Sequence, residues 1–225
     1  MRGRLFLALG QPLVARLERR MASSPLFWNL IARKYLASPV PDEAVYQRKL
    51  ELTRERLRPD WDLLEIGCGS GATALNHAPH VRSVTACDFS KKLLAVGETR
   101  AAAEQIDNVT FHCKSLDEIT APPAYDAVLM LSLLHLLPDW RGAIDRAAAL
   151  TKPGGIFVSS TTCMGHSRLL RLLQPLLRLL PLLPSVTAFT EEALRAEIRA
   201  NGFDIEVDWR PEGADALFLI ARRQG

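Results

Sequence analysis

Cysteines, metal-binding spacings and long apolar runs are scarce in this sequence. The 225 residues hold four cysteines with no Cys-x-x-Cys pair, which argues against a zinc site and a small disulfide-bonded scaffold. We therefore expect reduced thiols in a cytoplasmic protein. No stretch reaches the roughly 20 uninterrupted apolar residues of a membrane span, and 13 Gly with 14 Pro are too few for a fibrous chain. The length suits one compact domain.

Positive charge is concentrated in two leucine-rich segments. The net charge is +3, but residues 1–22 contain five arginines and one glutamate, and residues 165–186 contain three arginines and no acid. The remainder is mildly acidic, which argues against a nucleic-acid enzyme with a broad basic face. Both segments leave packing helices and peripheral membrane contact as alternatives. An organelle-targeting role also stays open for the first, with translation starting at Met1 or Met21.

From Trp61 the sequence alternates strand-like and helix-like segments, a pattern that predicts a parallel sheet covered by helices. Two late strands joined by a short turn must be antiparallel, because a parallel pair needs a long crossover. We therefore predict an α/β fold with a seven-stranded, mostly parallel, Rossmann-like sheet and an antiparallel C-terminal strand. The predicted strands are 63–66, 83–87, 109–112, 127–131, 156–160, 203–209 and 216–221, with helices at 72–78, 91–103, 141–150 and from Thr190 onward.

The domain organisation expected from the sequence is one domain with two additions. Residues 1–40 form a helical N-terminal extension, residues 41–225 form the ligand-binding domain, and residues 165–188 are inserted into it as a lid. Prolines inside the lid break it into two short helices over the carboxyl ends of the strands, where ligands of open α/β sheets bind. Its leucines either pack on the domain or contact an apolar ligand.

A glycine-rich turn follows the first predicted strand. Gly67, Gly69 and Gly71 let a ligand lie against bare backbone at a helix N-terminus, where N–H groups are unpaired. Asp88 ends the second strand, where a carboxylate can accept both hydroxyls of a ribose, and we expect the ligand rather than the core to use it. The pattern therefore predicts an adenosine-type ligand, and by itself it also satisfies the dinucleotide fingerprint. Glu65 favours a ligand with an ammonium group over a pyrophosphate.

Four motifs in the expected order resemble those of the class I S-adenosylmethionine (SAM) dependent methyltransferases. They are LLEIGCGSG, TACDFS, YDAVLMLSLLHLLPD and TKPGGIFV. The resemblance covers residues 45–222. Within the family, the chain resembles in particular the ubiquinone and menaquinone biosynthesis methyltransferases. It implies SAM as the cofactor, a small-molecule methyl acceptor and no required metal.

The resemblance also implies a set of cofactor contacts. Glu65 and the loop would hold the methionine part, Asp88 the ribose and Phe89 the adenine. Ser115, followed by Leu116, stands where the family commonly has an aspartate that meets the adenine amino group. Further contacts are implied near the methyl group and in the lead-in helices. The full set is Glu65, Gly67, Cys68, Gly69, Gly71, Asp88, Phe89, Ser115, Leu116, Leu131, Ser132 and His135, with Tyr35 and Tyr46 closing over it.

The implied reaction is transfer of the SAM methyl group to an O, N or C atom of a small, apolar acceptor. No catalytic residue is assigned, because an activated methyl donor needs little beyond orientation and desolvation. No nucleic-acid partner is expected. Two alternatives stay open, a catalytically silent SAM-binding protein and a nicotinamide-dependent oxidoreductase. We expect a cytoplasmic protein that contacts membranes through residues 1–22 or 165–186.

Overall fold

A seven-stranded sheet forms the centre of the protein. The computed structural model describes residues 42–119, 122, 124–163, 187–213 and 216–225, together with positions 28, 29, 32 and 36. The strands are β1 (Asp62–Ile66), β2 (Ser83–Asp88), β3 (Val109–Cys113), β4 (Tyr125–Leu131), β5 (Thr151–Thr162), β6 (Phe203–Trp209) and β7 (Ala216–Arg223). The helices are α1 (Glu43–Arg54), α2 (Ala72–His77), α3 (Lys91–Ala103), α4 (Trp140–Leu150) and α5 (Glu191–Ala200), and single-turn 3-10 helices cover Ala78–His80, Leu116–Glu118 and Leu134–Leu136.

The sheet has the strand order β3-β2-β1-β4-β5-β7-β6. Strands β1 to β5 pair in parallel, and β7 lies antiparallel to both β5 and β6. The predicted fold class is therefore confirmed. The chain reverses its strand order beside β1, and in such sheets the carboxyl ends of the strands at this point form the ligand-binding crevice.

Apolar side chains cover both faces of the sheet, because successive residues of a strand point to opposite faces. Leu64, Val128 and Phe157 belong to one buried cluster, which includes residues of α4 and α5. Leu129 and Val158 belong to a second cluster on the opposite face, together with residues of α2 and α3. Strands buried on both faces read as continuous apolar runs, which is why the sequence predicted them well.

Helix starts are fixed by side-chain caps. Asp42 Oδ1 accepts from the Val45 amide at 3.0 Å, and Asp139 Oδ1 accepts from the Gly142 amide at 3.0 Å. Thr190, the predicted start signal, accepts from the Ala193 amide through its hydroxyl at 3.2 Å. Such caps satisfy amide groups that the first helical turn leaves unpaired.

Strand β5 begins earlier than predicted. It starts at Thr151, which pairs with Tyr125, and the register then shifts so that Ala127 pairs with Ile156. The Pro-Gly-Gly segment between these pairs forms the irregularity, with Gly154 at φ +76°. Proline and glycine are typical of a turn before a strand, but bulges also accept them.

The two predicted additions lie mostly outside the described residues. The extension over 1–40 is described only at Trp28, Asn29, Ala32 and Leu36, and of the lid only positions 187 and 188 are described. Both therefore stay predictions, as does the domain boundary. Among the residues that are described, no helix is long and apolar enough to cross a membrane.

Candidate functional site

The glycine loop between β1 and α2 has a backbone that glycine alone adopts readily. Gly67, Gly69 and Gly71 have φ values of +73°, +56° and +72°, in the left-handed region that strains other residues. A Cβ atom on Gly71 would also lie 2.5 Å from Phe111 Cε1. The loop therefore depends on its glycines both for its conformation and for its fit against β3.

Backbone hydrogen bonds tie this loop to β2. The amides of Gly67 and Cys68 both donate to the Cys87 carbonyl, at 2.8 and 3.0 Å, and the Gly71 amide donates to the Cys68 carbonyl at 2.8 Å. The Cys68 side chain is buried, and burial raises the pKa of its thiol. Cys68 is thus a packed thiol whose backbone shapes the loop, and no thiolate chemistry is indicated for it.

Asp88 ends β2 directly beside the loop. Its side chain is 8% exposed, and its two oxygens accept from the Gly69 amide at 2.9 Å and the Ser90 amide at 2.8 Å. Burial raises the pKa of Asp88, although these amide hydrogen bonds oppose the shift. The expectation that only a ligand uses Asp88 is wrong, because the carboxylate also holds the loop in place.

Glu65 is a buried acid on β1 whose hydrogen bonding is incomplete. It is 3% exposed, and its Oε2 atom has no hydrogen-bond partner. Burial raises the pKa of Glu65 to about 8, the Ala74 amide lowers it, and the Asp88 charge raises it. A buried acceptor without a donor is costly, and a cationic ligand group would remove that cost. The residues present therefore fit a ligand with an ammonium group beside an adenosine.

Ser115 and its neighbours follow β3 at the adenine side of the predicted site. Asp88 pairs with Cys113 across β2 and β3, so Ser115 follows β3 close to Asp88, the residue predicted to bind ribose. The Ser115 hydroxyl donates to Glu118 Oε2 at 2.8 Å, so its oxygen can still accept a hydrogen bond. Phe89 and Leu116 are half-buried. Their contacts with adenine stay predictions.

The residues after β4 border the same edge of the sheet. Ser132 is exposed at φ +54°, a conformation that costs free energy for a residue other than glycine, and its amide donates to the Ser160 carbonyl at 2.7 Å. Leu131 is half-buried and packs against the second apolar cluster. Both lie beside the glycine loop through the pairing of β1 with β4.

His135 has structural partners in β5. Its Nδ1 lies 3.0 Å from Thr161 Oγ1, its amide donates to the same oxygen at 3.2 Å, and its carbonyl accepts from the Thr187 amide at 2.7 Å. Burial lowers the pKa of His135. Thr161 alternates with Ser160 and so faces the sheet side opposite to Glu65. The structure thus gives His135 a packing role, and its predicted cofactor contact stays a prediction.

Helix α1 contributes two polar groups, of which the sequence singled out Tyr46 and did not single out Lys49. Lys49 Nζ donates to Ser160 Oγ at 3.0 Å, and the hydroxyls of Tyr46 and Thr73 lie 3.4 Å apart. Tyr46 was expected near the site, whereas Tyr35 lies outside the described residues. Lys49 carried no signal, since a lysine on an amphipathic helix is usually solvated.

Asn29 of the N-terminal extension contacts the segment between β2 and α3, and the sequence did not single out this contact. Asn29 Oδ1 accepts from the Ser90 hydroxyl at 2.8 Å and from the Lys92 amide at 3.3 Å. It therefore meets the segment that follows Asp88. Within the described part of the chain, no group of three or more His, Cys, Asp or Glu side chains could hold a metal ion.

Part of the chain matches a known family in sequence. Residues 63–155 match the family model described as a methyltransferase domain. The ubiquinone biosynthesis O-methyltransferase of Coxiella burnetii is 33% identical over 100 residues, which cover 44% of this chain and 42% of that relative. Its counterpart of the same name in Alkalilimnicola ehrlichii is 34% identical over 101 residues, covering 44% and 40%. The chain thus matches less than half the length of these curated relatives.

Solved structures show the same fold. N-methyltransferase NodS from Bradyrhizobium japonicum, in complex with S-adenosyl-L-homocysteine (SAH), matches with a TM-score of 0.66 and 17% identity over 88% of this chain and 98% of that one. The YcgJ protein from Bacillus subtilis matches with a TM-score of 0.66 and 18% identity over 80% and 99%. Identities this low concern the fold alone.

In strand order, glycine loop and matched segment, the chain resembles the class I SAM-dependent methyltransferases. Its residues 63–155 match the model of a methyltransferase domain. Within it the chain resembles the ubiquinone biosynthesis methyltransferases, so the resemblance stated from the four motifs is confirmed.

Proposed function

We propose that the protein binds SAM and transfers its methyl group to a small, apolar acceptor. The observation that carries this proposal is that the matched domain contains the glycine loop, with the unpartnered Glu65 oxygen just before it on β1 and the Asp88 carboxylate hydrogen-bonded to Gly69 within it. Glu65 offers a buried oxygen without a donor, and Asp88 offers a carboxylate at the end of β2. This pair suits an ammonium group at one end of a ligand and a ribose at the other.

The protein's own contribution to the reaction is binding, orientation and exclusion of water. When bound, SAM supplies a methyl group that is bonded to a good leaving group. Glu65 would hold the ammonium group, and Asp88 would accept hydrogen bonds from the ribose hydroxyls. Between them, the ligand would lie against the backbone of the loop, because its glycines carry no side chains. Positioning an acceptor in line with the methyl group can lower the barrier by several kcal/mol, so no general base is assigned.

The acceptor class is inferred from the sequence between β5 and α5. Residues 165–186 contain ten leucines and three arginines, and the matched relatives are named for ubiquinone biosynthesis. A leucine-rich segment that follows the carboxyl end of β5 in the sequence suits an apolar acceptor, such as a prenylated quinone precursor or a lipid-like metabolite. The arginines would lie near its polar end or near phospholipid. We accordingly propose a cytoplasmic protein with peripheral membrane contact through residues 1–22 or 165–186.

Transfer of label from methyl-labelled SAM tests this proposal. The full chain is incubated with a cell extract, and products are separated into organic and aqueous phases. The proposal predicts labelled product in the organic phase. Replacing Leu172, Leu173, Leu176 and Leu177 by Ser should abolish that labelling and leave SAH affinity nearly unchanged. Label confined to a small, fully polar product contradicts the apolar acceptor, and SAH binding without any labelled product favours a silent SAM-binding protein.

A further inference from the structure

Helix α3 carries apolar residues on two faces. Its inner face packs in the core through buried residues such as Leu93, Leu94 and Ala101. Its outer face is exposed and bears a shallow, open groove of about 450 Å³, which is lined by Ala95, Val96, Thr99, Arg100 and Ala103. A surface helix normally presents polar residues to water. The outer face of α3 therefore suits an apolar partner.

Val96 is the largest apolar side chain of this groove. It is 39% exposed, and Leu36 is the one other large apolar side chain in the described part of the chain with comparable exposure. Ala95, Thr99 and Ala103 continue the same face at intervals of about one helical turn. Small residues on one helix let another helix approach closely, and larger side chains of that second helix then fill the space between them. The groove thus fits a helix with large apolar side chains.

The N-terminal extension passes the start of α3. Asn29 Oδ1 accepts from the Ser90 hydroxyl at 2.8 Å and from the Lys92 amide at 3.3 Å. The groove begins at Ala95, about one helical turn beyond Lys92. Residues 22–27 can span about 20 Å when extended, which is close to the length of α3, also about 20 Å. The chain before residue 22 is therefore within reach of the whole groove.

Residues 12–21, which lie outside the described part of the chain, have the sequence pattern that this groove requires. Pro12 suits the first position of a helix, and the apolar residues that share one helical face are Leu13, Val14, Leu17 and Met21. Ala95, Val96, Thr99 and Ala103 have the same spacing along α3. A helix of ten residues is only marginally stable in water by itself, so the segment needs a surface on which to fold.

We propose that residues 12–21 form a helix that docks in the groove of α3, antiparallel to it. Leu17 lies at the centre, opposite Thr99, and Met21 lies toward the start of α3, because the chain continues from there to Asn29. The inference does not depend on SAM binding. It assigns the apolar face of the segment to the protein's own surface, and it leaves membrane contact to residues 165–186.

Hydrogen exchange of the full chain, followed by mass spectrometry, tests this docking. The amides of residues 13–21 should exchange about tenfold or more slowly than those of a free peptide 12–21, because apolar side chains must leave the groove before the helix opens. Ala95→Lys combined with Ala103→Lys places two charges in the groove and should return the exchange close to the peptide rate. Both positions are exposed, so the exchange of α3 itself should not change.

Ala196→Lys combined with Ala200→Lys is the matched control, because it places the same charges at exposed alanines of α5 and should keep the slow exchange. Exchange at the peptide rate in wild type overturns the inference. Slow exchange that appears only with vesicles containing phosphatidylglycerol also overturns it, since the segment would then bind lipid. Equally slow exchange in wild type and in the groove variant does so too, because the segment would then pack elsewhere.

Labelling of Thr99→Cys provides a second measurement that places no charge in the groove. A maleimide should modify the introduced thiol about tenfold more slowly in the full chain than in the same chain carrying Leu13→Ser and Leu17→Ser. The rates are read by mass spectrometry from the peptide that contains position 99, and equal rates contradict the docking. Neither measurement uses SAM, so a failure of the docking is distinguishable from a failure of the proposed function.

Discussion

Removing the Asp88 carboxylate is expected to damage both cofactor binding and the loop. In Asp88→Ala, the Gly69 and Ser90 amides lose acceptors at 2.9 and 2.8 Å. A buried donor left without an acceptor costs about 1 to 3 kcal/mol, so two fully buried donors would cost about 2 to 6 kcal/mol. Because the Gly69 hydrogen bond is only partly buried, we expect the free energy of unfolding to fall by about 2 to 4 kcal/mol. For a chain of this size that corresponds to a fall in Tm of roughly 5 to 15 °C.

The effect on binding is expected to be separable from the effect on the fold. Loss of the hydrogen bonds to ribose should weaken SAH binding by about tenfold to a hundredfold. Asp88→Asn keeps one acceptor oxygen and the side-chain shape, so its Tm should fall less than that of the alanine variant. Its NH₂ group cannot accept from a hydroxyl, so most of the loss in affinity should remain.

Calorimetric titration with SAH and thermal unfolding measure the two effects on the same samples. Unchanged SAH affinity in both Asp88 variants would refute the placement of the cofactor. Full affinity in Asp88→Asn together with loss in Asp88→Ala would show that the residue acts only by holding the loop.

Two further predictions concern the loop and Glu65. Gly71→Ala places a Cβ 2.5 Å from Phe111 and should lower both Tm and SAH affinity. Gly154→Ala is the control, because Gly154 has a similar φ and no atom within 4 Å of its Cβ; it should lower Tm only slightly and leave SAH affinity intact. Equal effects of the two substitutions would show that backbone strain alone matters. The Glu65 pKa is raised from 4.5 to about 8, so its contribution to the free energy of unfolding should be complete below pH 4.5 and lost as pH rises to about 8. Because the ammonium group needs the ionised acid, SAH affinity should rise about tenfold per pH unit below pH 8, and Glu65→Gln should bind weakly with no such pH dependence; an identical pH profile in that variant would contradict the role of Glu65.

The fold was predictable because its signals are local. Buried parallel strands give continuous apolar runs, and the helices begin at residues such as Thr190 that cap them. The glycine loop was predictable for the same reason, since positive φ at Gly67, Gly69 and Gly71 is required by the turn itself.

Contacts between distant parts of the chain were not predictable from local patterns. Lys49 and Ser160 are 111 residues apart, and their contact depends on how α1 packs over β5. The role of Asp88 in holding the glycine loop was not predictable either, because its hydrogen bond to Gly69 depends on the ends of β1 and β2 lying close together in the fold. The early start of β5 was missed because proline and glycine are typical of a turn and also occur in bulges.

We propose that the site between Glu65 and Asp88 binds SAM, and calorimetric titration of the full chain with SAH and, separately, with NADH tests this binding. We expect saturable binding of one SAH per chain and no binding of NADH. Binding of NADH, or absence of SAH binding by a folded sample, would contradict it.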